Sequence, residues 1–365
     1  MDIKKLILKK LNKNKKIKVA EIVKATGFSR AYINRFFQEL KDEGKVVLIG
    51  KSNKAQYVLA EKNIVMRTKE GLLVAHRVLE NKNLAEDIVL DEIKRNTGIF
   101  LNLPKNVSAI IDYAFTEMLN NAIEHSQSKK IEISMKRDSN AIRFDVVDWG
   151  IGIFKHIMKK GGLGSELEAI HNLSKGKETT APKKHSGEGI FFTSKVADIL
   201  TIKSSEKKLI FHNVLDDIFI KDIKKTKGTK VTFIINPDSK RKLYEVFRKY
   251  SGKSYEFSKT KVNVKLYNEQ DAQYIERSTA RYRIDTGYLS RSQARRIVSG
   301  LDKFKTVILD FKDVETVGQA FIDEVFRVWQ NNHPNIEIIP ENANQNIVFM
   351  IKRINRLEYK KKNTA

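Results

Sequence analysis

The stretch FTEMLNNAIEHS (115–126) constrains this chain more than any other. On a helix, residues three and four apart share a face, so Glu117, Asn120, Asn121 and Glu124 form a polar stripe while Ile111, Ala114, Met118 and Ala122 form an apolar one. Alone, that stripe reads as the solvated side of an ordinary amphipathic helix. Two glycine-bearing stretches downstream reverse the reading. Phe144, Asp145, Val146 and Val147 read as a buried strand that ends in Asp148, Gly150 and Gly152, where small residues would let a ligand ring lie against the backbone. In HSGEGIFF (185–192), Gly187 and Gly189 stand at the start of a helix expected over 190–198, whose free N–H groups suit a pyrophosphate.

The matched patterns are E-x-x-x-N-A at 117–122, D-x-G-x-G at 148–152, G-x-G at 187–189 and the later pair Gly228 and Thr229. Together, in this order and each on the expected type of element, they resemble the GHKL ATPase superfamily of histidine kinases, type II topoisomerases, mismatch-repair ATPases and anti-sigma serine kinases. The resemblance implies an open mixed sheet covered on one side by helices, ATP held between them, and a mobile lid. By motif position, Glu117 would be the general base for a water or an acceptor hydroxyl, and Asn121 would hold Mg2+ through its side-chain oxygen. Asp148 would accept a hydrogen bond from the adenine amino group, Gly150 and Gly152 would let the base approach, Gly187 and Gly189 would face the phosphates, and Thr229 would brace Asp148. Magnesium takes oxygen ligands and keeps several waters, so one amide plus phosphates suffices. A glutamate in line with the γ-phosphate can take a proton, which points to hydrolysis or transfer to Ser/Thr and away from histidine phosphorylation. Residues 154–186, with Gly161, Gly162, Gly164, Gly176, Lys155, Lys159, Lys160, Lys175, Lys177, Lys183 and Lys184, read either as the lid or as a basic exposed loop.

Upstream, helices are expected over 3–12, over Val19–Thr26 with Gly27 ending it, and over 30–43 with Ser29 as cap and Gly44 as stop. VVLIG and QYVLA read as two strands around the turn Lys51, Ser52, Asn53 and Lys54. This arrangement resembles a winged helix. The likeness implies that Ser29, Arg30, Tyr32, Asn34 and Arg35 face the bases and phosphates of duplex DNA, with Lys51 and Lys54 on its backbone. The net charge of +25 favours phosphate-rich partners, and residues 1–62 carry sixteen Lys and Arg against six Asp and Glu. A protein-docking winged helix, or a surface that is basic throughout, stays open beside that reading.

Residues 63–84 read as a linker with one helix. His76 there does not match the acceptor-helix pattern of sensor kinases and is taken as a surface histidine. From about residue 255 onward, VNVKLY reads as a strand and Ser290 as the cap of RSQARRIV. KTVILDF comes next as a buried strand, then a helix over 318–331, the strand NIEIIP and a last helix over 344–357, which make a small α/β sheet. VILDFKDVETVGQAFIDEVFRVW resembles the core of STAS domains, in which a serine at the start of the helix accepts phosphate. Gly318, Gln319 and Ala320 occupy that place here, and Thr316 is the nearest hydroxyl. Across nearly its whole length the chain resembles a bacterial family that fuses a GHKL module to a STAS-like domain.

The expected fold class is α+β and multidomain: a winged helix over 1–62, the linker over 63–84, a GHKL α/β sandwich over 85–240 and a STAS-like α/β domain over 255–360. No apolar run approaches the roughly 20 residues of a membrane helix, and MDIKKLILKKLNK has no signal-peptide core, so the expected location is cytoplasmic, away from membranes. With no cysteine and no HExxH-like spacing among the histidines, a structural metal is not expected. The expected function is an ATP-binding, ATP-hydrolysing switch that controls DNA binding, in transcription regulation or phage-defence sensing. The alternative is an anti-sigma-type Ser/Thr kinase acting on a separate protein. ATP and Mg2+ are the expected cofactors and duplex DNA the expected partner, with a protein partner at the STAS-like domain and a homodimer left open.

Overall fold

A computed structural model describes residues 2–50, 55–61, 73–177, 187–265, 267–268 and 289–362. Lys51 and Lys54 of the expected wing, and Lys183, Lys184 and Ser186 of the expected lid, lie outside the described residues.

The N-terminal unit holds α1 (Ile3–Asn14), β1 (Lys16–Ile17), α2 (Val19–Thr26), α3 (Arg30–Asp42), β2 (Val46–Ile49) and β3 (Gln56–Leu59). Ile3, Ile7 and Leu11, one helical turn apart, form the buried seam of α1 and meet Ile22, Ile33, Phe37 and Leu40 in one core. Gly27 ends α2 in the left-handed region at φ +74°, and Ser29 Oγ caps α3 by accepting from the Tyr32 amide at 3.2 Å. The three strands form an antiparallel sheet in the order β1-β3-β2.

The central sheet comprises β4 (Val74–Glu80), β5 (Lys130–Arg137), β6 (Ile142–Asp148), β7 (Ile199–His212) and β8 (Asp217–Ile235). All neighbours are antiparallel, in the order β4-β5-β6-β8-β7, and a two-residue strand at Tyr267–Asn268 adds to β8 in parallel. Burial alternates strictly along β6, as a strand with one covered face requires. The covering helices are α4 (Glu86–Asn96), α5 (Lys105–His125), α6 (Ile153–Lys160), α7 (Glu166–Lys175) and α8 (Gly189–Val196). Phe115 of α5 meets Phe144 of β6 edge-on at 5.4 Å, and Phe144 stacks on Phe233 of β8 at 4.8 Å.

Two expectations change here. The helix expected over 115–126 begins ten residues earlier, at Lys105, behind Pro104 in the cap position, where proline's fixed φ and missing N–H are no handicap. The stretch read as a linker with one helix contributes edge strand β4, and His76 lies on it with Nε2 2.7 Å from Glu132 Oε1. Residues 62–72 lie outside the described residues.

The C-terminal unit comes after α9 (Leu243–Tyr250). Its three strands, β9 (Lys259–Asn263), β11 (Thr306–Asp310) and β12 (Glu337–Glu341), with β10 being the short strand at Tyr267–Asn268, run parallel in the order β12-β11-β9. The helices are α10 (Arg291–Val298), α11 (Gln319–Asp323) and α12 (Gln345–Lys362). Ser290 caps α10 in a reciprocal box with Gln293, and α11 runs on through a π-helical turn, Glu324–Trp329. Helix α8 belongs to two cores at once. Val196 packs with the central sheet, whereas Phe191 and Phe192 pack with Tyr250, Phe257 and the C-terminal unit.

Candidate functional site

A cavity of about 620 Å³ opens between α5, the turn after β6 and the start of α8. Helix α5 buries Ile111, Ala114, Met118 and Ala122, the last two also lining the cavity, and presents Glu117, Asn120 and Asn121 to it, while Glu124 is exposed. Asp148 stands at the opposite wall, 5 % exposed. Its Oδ1 accepts from the Gly150 amide at 2.9 Å and the Thr229 amide at 3.2 Å. Burial pushes the Asp148 carboxyl above its ordinary value, against the pull of those donors. The Thr229 hydroxyl accepts from the Ile153 amide at 3.0 Å, which ties the first turn of α6 to β8 beside that aspartate.

The glycines divide into two kinds. Gly152, at φ +79°, lines the cavity, and Gly187, at φ +72°, lines it from the other side with Gly189. A β-carbon on Gly189 would stand 2.0 Å from Glu117 Oε2, so this position admits no side chain while Glu117 keeps its place. Gly150 does not line the cavity. A β-carbon there would stand 1.7 Å from the Ser126 carbonyl, so its bareness serves the close approach of the turn to the end of α5. Gly228 does the same for the strand pair, because a β-carbon would fall 2.1 Å from the Asp148 carbonyl oxygen.

The fit to a magnesium nucleotide rests on unfilled capacity at these positions. Among the described residues the Asn121 Nδ2 atom is buried without a hydrogen-bond partner, and because an amide can be turned about, the same place can present an oxygen. The His156 Nε2 atom is likewise buried and, among the described residues, unpartnered; its ring lines the cavity 6.5 Å from that of His125. Burial lowers the His156 pKa, with the Lys160 and His125 charges adding to the effect. Tyr113 also lines the cavity, held in its phenol form far above the ordinary value by burial and by the charges of Glu117 and Glu188.

The wall supplied by Tyr244, Phe247 and Arg248 of α9, with Ser251, Tyr255 and Phe257 after it, had no counterpart in the motif reading. The aromatic spacing of LYEVFRKYSGKSYEF was its one signal, and it does not say where the helix docks. Arg248 is exposed and donates at 3.5 Å to the Tyr244 hydroxyl.

The basic segment after α6 also differs from the expectation. Lys175 is 2 % exposed and faces away from the cavity. Its Nζ donates to Asn172 Oδ1 at 3.2 Å and to the carbonyls of Arg296 at 2.9 Å and Ser299 at 2.8 Å, at the C-terminal end of α10. Lys177 Nζ donates to the Lys303 carbonyl at 2.7 Å. Both ammonium groups are committed to the C-terminal unit, where orphan helix and turn carbonyls attract cations.

On the N-terminal unit Ser29, Arg30, Tyr32, Asn34 and Arg35 are all exposed. Ser29 Oγ is engaged in the cap, and Tyr32 lies between Phe28 and Phe36, 5.1 Å from each, with the Arg35 guanidinium 5.3 Å above its ring.

A family model described as a histidine kinase-like ATPase domain matches residues 74–215, and one described as a STAS-like domain of unknown function (DUF4325) matches residues 293–348. No curated protein matches the chain. Among the described residues no helix is long and apolar enough to cross a membrane. The first match opens on β4, inside the stretch read as a linker, and ends in the β7–β8 turn; the second takes in α10, β11, α11 and β12. The chain therefore carries a histidine kinase-like ATPase domain followed by a STAS-like domain, the pairing that its glycine and carboxylate motifs resemble.

Proposed function

We propose that the protein is an ATP-driven switch in which nucleotide in the cavity sets the packing of the STAS-like domain and, through it, the affinity of the N-terminal unit for duplex DNA. The observation that carries this reading is the double membership of α8: its first residue abuts Glu117, and its next turn inserts Phe191 and Phe192 into the C-terminal core. A ligand that moves the start of α8 must disturb that core, because packed aromatic clusters do not deform continuously.

In this reading Asp148, held by the Gly150 and Thr229 amides, accepts from the adenine amino group, and Gly152 lets the ring approach. Gly187 and Gly189 present backbone N–H groups to the phosphates at the start of α8. Glu117 takes the proton of the attacking water. Among the described residues no three His, Asp or Glu side chains are grouped to hold a metal, so Asn121 and the phosphates together would hold magnesium. When bound, the ion neutralises charge that develops on the phosphoryl group. On α3, Arg30, Tyr32, Asn34 and Arg35 would meet the DNA with Ser29, and Lys51 and Lys54 would add backbone contacts.

Coupling exists only if ATP favours one packing over the other, and a tenfold change in DNA affinity corresponds to about 1.4 kcal/mol of such preference. The test is duplex DNA affinity of the whole chain with and without ATP across a salt series. A shift with nucleotide and a steep fall with salt are expected; superimposable curves would remove the switch. Label from the γ-phosphate recovered on a protein hydroxyl, instead of as free phosphate, would make the protein a Ser/Thr kinase.

A further inference from the structure

A second cavity, of about 200 Å³, lies where the ATPase domain meets the STAS-like domain. Its floor is the carboxyl end of β9, at Lys261 and Asn263, and Asn263 sits in register with Asp310 at the end of β11. In open α/β sheets the crevice outside the carboxyl ends of parallel strands is where ligands bind. The roof is the end of α8 at Lys195, the β7–β8 turn at Asp216 and Asp217, and Lys249 of α9.

The charges there do not balance. Lys195, Arg241, Lys249 and Lys261 line the cavity against Asp216 and Asp217. Arg241 is paired with Asp198, Lys261 with Asp310 at 2.8 Å and Glu341 at 2.7 Å, and Asp217 with Lys312 at 3.1 Å. Lys195 and Lys249 make no hydrogen bond or ion pair among the described residues. Lys195 rests on the rings of Phe191 and Tyr250, at 5.2 and 5.9 Å, and Lys249 on Tyr250 at 5.7 Å. Asp216, whose charge acts on Lys195, is the lining carboxylate outside those pairs, so two ammonium groups face one carboxylate and positive charge is left over.

We infer that this cavity is a binding site for a compact phosphate-type oxyanion, held by Lys195 and Lys249 at the junction of the two domains. Its volume lies below the range of about 300–1,000 Å³ typical of drug-sized ligands, so the ligand is inorganic phosphate or pyrophosphate, not a nucleotide. The Lys195 ammonium fits this role: burial first, and then neighbouring Lys261, hold its pKa down to about 8 against the pull of Asp216 and Asp310, a cost that a further anion relieves. Because Lys195 lies on the helix whose first residue abuts Glu117, the anion would act on the element that nucleotide acts on, from its other end.

The test is thermal unfolding and calorimetric titration of the full chain with inorganic phosphate and, separately, pyrophosphate. The nucleotide cavity is filled in one arm with a non-hydrolysable ATP analogue. Binding that survives the analogue and weakens by at least about tenfold in both Lys195→Met and Lys249→Met is the expected result. Lys249 is exposed, so its variant keeps the test readable should the Lys195 variant fail to fold. The preference between phosphate and pyrophosphate identifies the ligand. Absence of binding, binding unchanged in either variant, or binding displaced by the analogue overturns the assignment. The result is independent of turnover at Glu117, so it stands or falls apart from the switch.

Discussion

Glu117 and Gly189 face each other so closely that a single methyl group on the glycine would collide with the carboxylate, at 2.0 Å from Oε2. On the proposed reading, Gly189→Ala displaces the base Glu117 and leaves the Asp148 end of the cavity intact. Misplacing a catalytic group by about 1 Å costs on the order of a hundredfold in rate, so turnover should fall by about that factor with ATP affinity little changed. Steady-state ATPase rates and nucleotide titrations on the variant check this, and a wild-type rate would show that Glu117 is not the base.

Asp148 offers the opposite signature. Burial raises its folded pKa above the unfolded value, so its ionisation costs stability at every pH above that range. Asp148→Asn keeps an oxygen for the Gly150 and Thr229 amides and removes the buried charge. Stability near neutral pH should hold or rise while ATP affinity drops by about tenfold or more, since an amide cannot choose its acceptor face freely there. Urea midpoints alongside nucleotide affinities decide; a variant that binds ATP normally refutes the adenine contact.

Lys175→Met removes the cation from the carbonyls of Arg296 and Ser299. Leaving two part-buried acceptors unmet costs on the order of 1 kcal/mol. The loss should appear as a lowered denaturant midpoint and as earlier proteolysis of the C-terminal unit. Unchanged stability would mean that the clamp contributes nothing.

Burial, helped by the charges of Lys175 and Arg296, holds the His171 imidazole down to about 4 from an ordinary 6.5. The unfolded chain takes up this proton before the folded one, so the contribution is whole above about pH 6.5 and is lost as pH falls towards 4. Between about pH 7 and about pH 4.5 the loss is on the order of 2 kcal/mol. Denaturation of wild type and His171→Phe across that window should diverge, with the variant flatter; parallel curves would dismiss the effect.

Sequence legibility tracked the locality of the signal. Glu117, Asn121, Asp148, Gly187 and Gly189 could be placed on one cavity because each sits in a short motif on a strongly patterned element. β4 could not be read as a strand, because it turns Val74 and Val78 outward at 52 % and 54 % exposure and Ala75 inward, so its alternation runs against hydropathy. The N-terminal half of α5 is not legible in the motif, because its start depends on Pro104 outside it. Lys175 is illegible for another reason: no local pattern distinguishes a lysine that reaches solvent from one whose partners, Arg296 and Ser299, lie more than a hundred residues away. The α9 wall likewise exists only once α9 has docked on Phe192, 4.6 Å from Phe247.

Phe191 and Phe192 are 1 % and 4 % exposed only because residues after the ATPase sheet cover them. A fragment trimmed to the histidine kinase-like domain would carry two adjacent phenyl rings out into water, a ready seed for precipitation. Recombinant work on either half alone will thus report on a damaged surface, and selection acting on one half must keep the other in step.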